Sequence, residues 1–340
     1  MQHHSPVRST RRAIPLDTRL GFGASGLGTL TWDVTDDVAQ ALLEEAWTAG
    51  IRYFDTSPLY GFGLSELRLG RFLRDRPREE YLLSTKIGRW FRAPAPGETL
   101  DRGGWVRPQP LVPVLDYTYD GVMRALEQSH NRLGVSSIDM VLIHDLDRRN
   151  LGADFDRHYR DATGSGYRAL DELRRAGVVQ AIGAGINEAD VAADLVRDLD
   201  LDLVMLAGRY TLLEQPALDA FLPAAVERKV GVIAVGVFNS GILLKPPEQG
   251  GTYDYGAAPA DVVERARAMA DACARFDIPV AAAALQFPLA HPAVQAVVVG
   301  ASRPGSARQA AAWMGLPIPE ALWHELKARG LLAANAPTPS

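Results

Sequence analysis

IRYFDTSPLYG, residues 51–61, begins as a short apolar run and ends on an acid, Asp55, and a phenol, Tyr60, five positions apart. The run is rich in β-branched and aromatic residues and reads as a strand buried on both faces, with the acid at its exit. Seven further segments have the same form: RLGFG (19–23), YLLSTK (81–86), IDMVLIH (138–144), VVQAIGA (178–184), LDLVMLA (201–207), VGVIAVG (230–236) and VQAVVVG (294–300). Segments of helical period separate them. In TDDVAQALLEEAWTAG (35–50), Thr35 is placed to cap the helix, and Asp36 and Asp37 suit the positive end of its dipole. Val38, Leu42 and Ala46 form its apolar stripe. Residues 118–134 repeat the plan, with Val122, Leu126, Ser129 and Leu133 on one face and Gly134 as the C-terminal cap, and Gly177 closes ALDELRRA in the same way. Eight strands alternating with helices in 340 residues predict an α/β chain closed into a (β/α)8 TIM barrel. The barrel domain is expected over 16–330, between a flexible N-terminal arm (1–15) and a C-terminal tail (331–340).

A competing reading comes from GFGASG (21–26), which satisfies G-x-G-x-x-G and is followed by an acid, Asp55, at the end of the next strand. A Rossmann site requires a helix to open at the third glycine. Here LGTLTWDV intervenes before the helix that starts near Asp36, which favours the barrel.

With 47% hydrophobic residues the chain can bury a sizeable core. The net charge of −5, with basic clustering confined to Arg8, Arg11 and Arg12, argues against a nucleic-acid partner. Apolar runs stay short of the roughly 20 residues of a membrane span, and the N-terminus lacks the apolar core of a signal peptide. A cytoplasmic location is expected. One cysteine, Cys273, excludes an intrachain disulfide and sits in a helical run where packing suits it. No C-x-x-C or H-x-x-x-H spacing supports a metal site, and His3 and His4 fall in the arm.

Two connections are longer than a barrel requires, 87–117 and 237–258. Both follow strands, so both belong to the C-terminal face, where they are expected to wall a substrate site. Four polar residues fall on the same rim: Asp55, Tyr60, Lys86 and His144. An unperturbed tyrosine, with a pKa of about 10, shuttles protons poorly near neutral pH unless a cation favours the phenolate. Lys86 is that cation, Asp55 holds it in place, and His144 is placed to hydrogen-bond a substrate oxygen.

These segments resemble the aldo-keto reductases over about residues 20–312: DTSPLYG (55–61) is similar to the family's Asp and Tyr segment, STKIGR (84–89) to its Lys segment and VLIHD (141–145) to its His segment. The resemblance implies an extended nicotinamide dinucleotide, NADP or NAD, with Asp55, Tyr60, Lys86 and His144 as the catalytic residues and Tyr60 as general acid or base. It also implies cofactor contacts at Gly23, at Asn187, at Tyr210, and at Gly300, Ser302, Arg303, Ser306 and Arg308 for the adenosine phosphate end. Residues 164–187, 200–215 and 238–243 are similar to the subgroup that oxidises aldoses at C1, the D-threo-aldose or L-fucose dehydrogenases, with a pyridoxal dehydrogenase as a near relative. A sugar or aldehyde is the implied substrate, and a carbonyl reductase of the same fold is the alternative. A non-catalytic cofactor sensor is a further reading, which the full set of four residues disfavours. Ala207 and Val235 or Gly236 replace a Gln and a stacking aromatic common in the family. Either a monomer or a homo-oligomer is compatible with the sequence.

Overall fold

A strand sends alternate side chains to opposite faces, so in a closed barrel every second residue enters the interior. In the computed structural model, which describes residues 19–30, 32–245, 252–254, 256–301 and 303–339, eight parallel strands obey this rule. They are β1 (Leu20–Gly23), β2 (Tyr53–Asp55), β3 (Leu82–Ile87), β4 (Met140–His144), β5 (Ala181–Ile186), β6 (Leu203–Ala207), β7 (Gly231–Val235) and β8 (Val294–Gly300). They pair in chain order, and β8 closes on β1. Helices α1 (Asp36–Thr48), α2 (Leu64–Leu73), α3 (Tyr119–Leu133), α4 (Tyr167–Arg175), α5 (Ala189–Asp198), α6 (Phe221–Arg228), α7 (Ala260–Ala274) and α8 (Ser306–Met314) follow the strands in turn. The fold is the (β/α)8 TIM barrel that the alternation predicts.

The alternation divides the core in two. Tyr53, Met140, Leu142, Leu203, Met205, Ile233 and Val298 pack inside the barrel, while Phe54, Leu83, Val141 and Ile143 face the helices. Because Tyr53 points inward, so does Asp55 two positions on. The same step takes the strands from Ser84 to Lys86 and from Leu142 to His144. Apolar side chains therefore fill the barrel and polar ones cap it at the C-terminal mouth.

Local signals mostly form as read. Thr35 Oγ1 accepts from the Val38 amide at 3.3 Å and Thr118 Oγ1 from the Gly121 amide at 3.3 Å; Gly134 ends α3 at φ +62°. β5 starts later than expected, at Ala181. Gly177 takes φ +73° after α4, and the Val178 amide bonds back to the Leu173 carbonyl. That bond makes Val178 part of the helix cap and not of the strand. The long connections carry small antiparallel hairpins, Arg89–Arg92 with Val112–Leu115 and Thr252–Tyr253 with Gly256–Ala257. The segment after residue 330 packs back on the barrel: Leu331, Leu332 and Ala336 are buried, and Arg265 of α7 donates to the Leu331 carbonyl at 2.5 Å. The N-terminal arm lies outside the described residues.

The glycines of 21–26 serve the barrel. A Cβ at Gly21 would meet Tyr53 and Val298 at 2.7 Å, so this glycine makes room for the interior, and β1 runs into a 3-10 turn (Ala24–Gly28), with α1 opening only at Asp36. Gly28 in turn lies against the Tyr60–Gly61 backbone, where a Cβ would come within 2.5 Å of the Tyr60 carbonyl carbon. Gly28→Ala is expected to destabilise the fold by about 1–3 kcal/mol through this overpacking. An unchanged midpoint in equilibrium denaturant unfolding would contradict the contact.

Candidate active site

A cavity of about 470 Å3 opens where the strands end at their C-termini, and Asp55, Tyr60, Lys86 and His144 all line it. Register brings them together: Asp55 pairs with Ser84 across β2 and β3, and Lys86 with Leu142 across β3 and β4. Tyr60 comes from the turn after β2. That turn is tied down on both sides. Thr56 Oγ1 and Ser65 Oγ lie 2.9 Å apart, and Ser65 donates to the Ala24 carbonyl at 2.8 Å. On α2, the fully buried Glu66 accepts from Thr85 on β3 and Arg132 on α3, each at 2.6 Å.

Lys86 is 1% exposed, and its three ammonium protons have three acceptors: Asp55 Oδ2 at 2.6 Å, the Thr56 carbonyl at 2.9 Å and Tyr60 Oη at 3.2 Å. Asp55 Oδ1 accepts from Ser84 Oγ at 2.6 Å. Since Ser84 spends its proton there, Tyr53 Oη, 3.0 Å away, donates to Ser84. Burial, with the charge of Asp55 beside it, raises the Tyr53 phenol well above its ordinary pKa and keeps it a donor. The result is a continuous chain from Tyr53 through Ser84, Asp55 and Lys86 to Tyr60.

His144 is set by different partners. Its Nδ1 lies 2.9 Å from Ser57 Oγ, which already accepts from the Leu59 amide, and its Nε2 lies 3.5 Å from Asp145 Oδ1. Burial pushes its pKa down to about 3, and the Lys86 and Arg89 charges lower it further against the opposing pull of Asp145. A neutral ring carries one proton. With Ser57 able to donate to Nδ1 and a carboxylate facing Nε2, that proton belongs on Nε2. The ring stands edge-on to Tyr60, with centroids 5.7 Å apart.

The other predicted residues divide. Gly23, Asn187 and Gly300 line the cavity. The Asn187 Nδ2 donates to Asp145 Oδ1 at 3.1 Å and to Asp147 Oδ2 at 2.7 Å, so toward a ligand this residue acts as an acceptor. Burial raises the Asp147 carboxyl to about 6, against the lowering by the Asn187 hydrogen bonds. Tyr210 is not part of the cavity. It is buried against Phe287 and His291, with centroids at 5.3 and 5.6 Å, two residues past Gly208, which takes φ +68° after β6. Arg303, Ser306 and Arg308 lie beyond the cavity wall, on the loop after β8 and the first turn of α8; Ser302 falls outside the described residues. Sequence reasoning passed over Ser57, although it sits inside DTSPLYG. It also did not single out Trp105, Arg149 and Asn150, which line the cavity. Trp105 was signalled by the long loop read as a wall, and its ring lies 6.0 Å from that of Tyr60.

Part of the wall is bare of side chains. Gly23, Gly185, Gly236 and Gly300 line it, and a Cβ at Gly300 would stand 4.0 Å from its nearest neighbours, the Gly23 carbonyl oxygen and Ser25 Oγ, in space a ligand can fill. Ala207 and Val235, both short side chains, line the same cavity.

A closed parallel barrel with a lysine-bridged acid and phenol at its C-terminal mouth defines a class of oxidoreductase. The chain belongs to the aldo/keto reductase family, whose model matches residues 19–329. It is 44% identical over 326 residues to D-threo-aldose 1-dehydrogenase from a Pseudomonas species, covering 94% of this chain and 95% of that protein. It is 41% identical over 325 residues to pyridoxal 4-dehydrogenase from Microbacterium luteolum, covering 93% and 95%. Among solved structures, an aldo-keto reductase from Bacillus halodurans superposes with a TM-score of 0.71 at 23% identity, covering 95% of each chain.

Across roughly pH 5–9 the His144 ring is expected to stay neutral with its proton on Nε2. 15N NMR of the imidazole checks this, and a ring that titrates near its ordinary value would contradict it.

Proposed function

We propose that the chain is an NAD(P)-dependent dehydrogenase that oxidises the anomeric carbon of an aldose to the lactone, with Tyr60 as the general base. The observation that carries this reading is the Lys86 ammonium held between the Asp55 carboxylate and the Tyr60 hydroxyl on the wall of a cavity. Similarity to D-threo-aldose 1-dehydrogenase supports the aldose. So does a lining that offers Trp105 as an apolar face and Arg149 and Asn150 as polar groups for hydroxyls.

Gly23 and Asn187 would hold the nicotinamide part of the cofactor, Asn187 through its carbonyl oxygen, and Gly300 would lie on the side toward its adenosine end. When bound, that group supplies the acceptor for the C1 hydride. Everything else falls to the chain. Tyr60 Oη removes the proton of the C1 hydroxyl, and the Lys86 ammonium 3.2 Å away stabilises the charge on that oxygen before the proton arrives. Asp55 and the Thr56 carbonyl keep the ammonium in place, so no reorganisation accompanies the transfer. His144, neutral and protonated on Nε2, donates a hydrogen bond to a substrate oxygen and leaves proton transfer to Tyr60.

Tyr60→Phe is expected to lower kcat by about 10²–10⁴-fold with dinucleotide affinity preserved; turnover near that of the unaltered protein would overturn the mechanism. Lys86→Met is expected to cost turnover to a similar degree while Tyr60 remains in place. Substrate class is read by reduced-nicotinamide absorbance with L-fucose, D-arabinose and a panel of aldehydes. Aldose oxidation supports the dehydrogenase, and aldehyde reduction alone would replace it with a carbonyl reductase.

A further inference from the structure

β8 ends at Gly300 on the cavity wall, and a five-residue loop leads from there to α8 at Ser306. A free helix N-terminus of this kind binds phosphate through its unpaired amides and its dipole. This one is already occupied from within the chain. Glu45, on α1, places its carboxylate on it: Oε2 accepts from the Gly305 amide at 2.6 Å, and Oε1 from the Ala307 and Arg308 amides at 3.0 and 3.1 Å. The two amides not bound to Glu45 are spent locally, Ser306 on the Arg303 carbonyl and Gln309 on the Gly305 carbonyl. The Arg308 guanidinium stands 3.7 Å from the same carboxylate. Partial burial works to raise the Glu45 carboxyl, but the three amides and Arg308 outweigh it and hold it below the usual range, so it is ionised. A phosphate arriving here would meet a fixed negative charge and no free amide in the first turn.

We infer that Glu45 selects the cofactor, admitting a dinucleotide whose adenosine ribose carries a free 2′-hydroxyl and disfavouring one with a 2′-phosphate. This rests on the reading of the chain as a nicotinamide-dependent enzyme, and it reverses the expectation that the first turn of α8, with Ser306 and Arg308, receives phosphate. The physical reason is that an acid from the last turn of α1 occupies three amides of the helix terminus and sets a negative charge beside Arg308.

The test is direct binding, by isothermal titration calorimetry of the full-length protein with NAD+ and NADP+. The unaltered protein is expected to bind NAD+ at least about tenfold more tightly. Glu45→Gln, which keeps the shape and removes the charge, is expected to tighten NADP+ by about tenfold with little change for NAD+. Arg308→Ala combined with Glu45→Gln is expected to reverse that gain, which a merely structural role for Glu45 would not produce. Equal affinity for the two dinucleotides, or a preference untouched by Glu45→Gln in protein whose circular dichroism is unaltered, overturns the inference and leaves the cofactor reading standing. Binding of neither dinucleotide overturns both.

Discussion

Withdrawing a lysine ammonium from water costs several kcal/mol unless its protons and charge are answered by well-placed partners. At Lys86 they are answered completely, by one carboxylate, one carbonyl and one phenol. The neighbouring structure is arranged around that requirement. Asp55 must stand at the end of β2 and face inward, which demands the register that pairs it with Ser84. Ser84 must face inward too, since it satisfies the second oxygen of Asp55. Tyr53 sits at the base of the same chain, and Gly21 leaves room for its ring. Removing Asp55 would strand the buried ammonium, so the strands and the site are stabilised by the same contacts.

The loop that carries Tyr60 has no regular structure of its own, yet it must hold one oxygen within hydrogen-bond reach of Lys86. Its order is supplied from outside. Gly28 and Gly61 allow two backbones to touch, and Glu66 joins α2 to both β3 and α3. Arg68 adds a third tie, donating to the Leu27 and Val34 carbonyls at 2.6 and 2.8 Å. Such charged groups specify position more than they add stability, because their desolvation offsets much of their attraction.

Charge also organises the rest of the mouth. Asp145 and Asp147 turn the amide of Asn187 so that its oxygen is the group left to meet a ligand. Asp254, from the second long connection, reaches Arg149 on the cavity wall and Arg209 after β6, at 3.4 and 3.0 Å. Glu45 acts in the same manner at the start of α8. In each case an acid distant in sequence decides what a neighbouring donor is free to do.

The barrel was legible in the sequence because its determinants are local. Apolar runs such as MVLIH, caps such as Thr35 and Thr118, and glycines such as Gly134 and Gly177 act over a few residues, and they form in the structure largely where the pattern predicts. Asp55, Tyr60, Lys86 and His144 were legible as a group because parallel strands in chain order bring their ends to one rim. The late start of β5 was not, since the same apolar Val178 can extend a strand or close a helix and only the hydrogen bond to Leu173 decides which. Tyr210 packs on Phe287 and His291 and not on the cavity, a placement that side-chain pattern along the chain does not reveal. Glu45 looked like one more acid on an amphipathic helix. Its partners lie some 260 residues away, and packing of α1 beside α8 alone brings the carboxylate to those amides. Local propensity and strand order can be read along a chain; which donors and charges remain free depends on distances that exist only once it has folded.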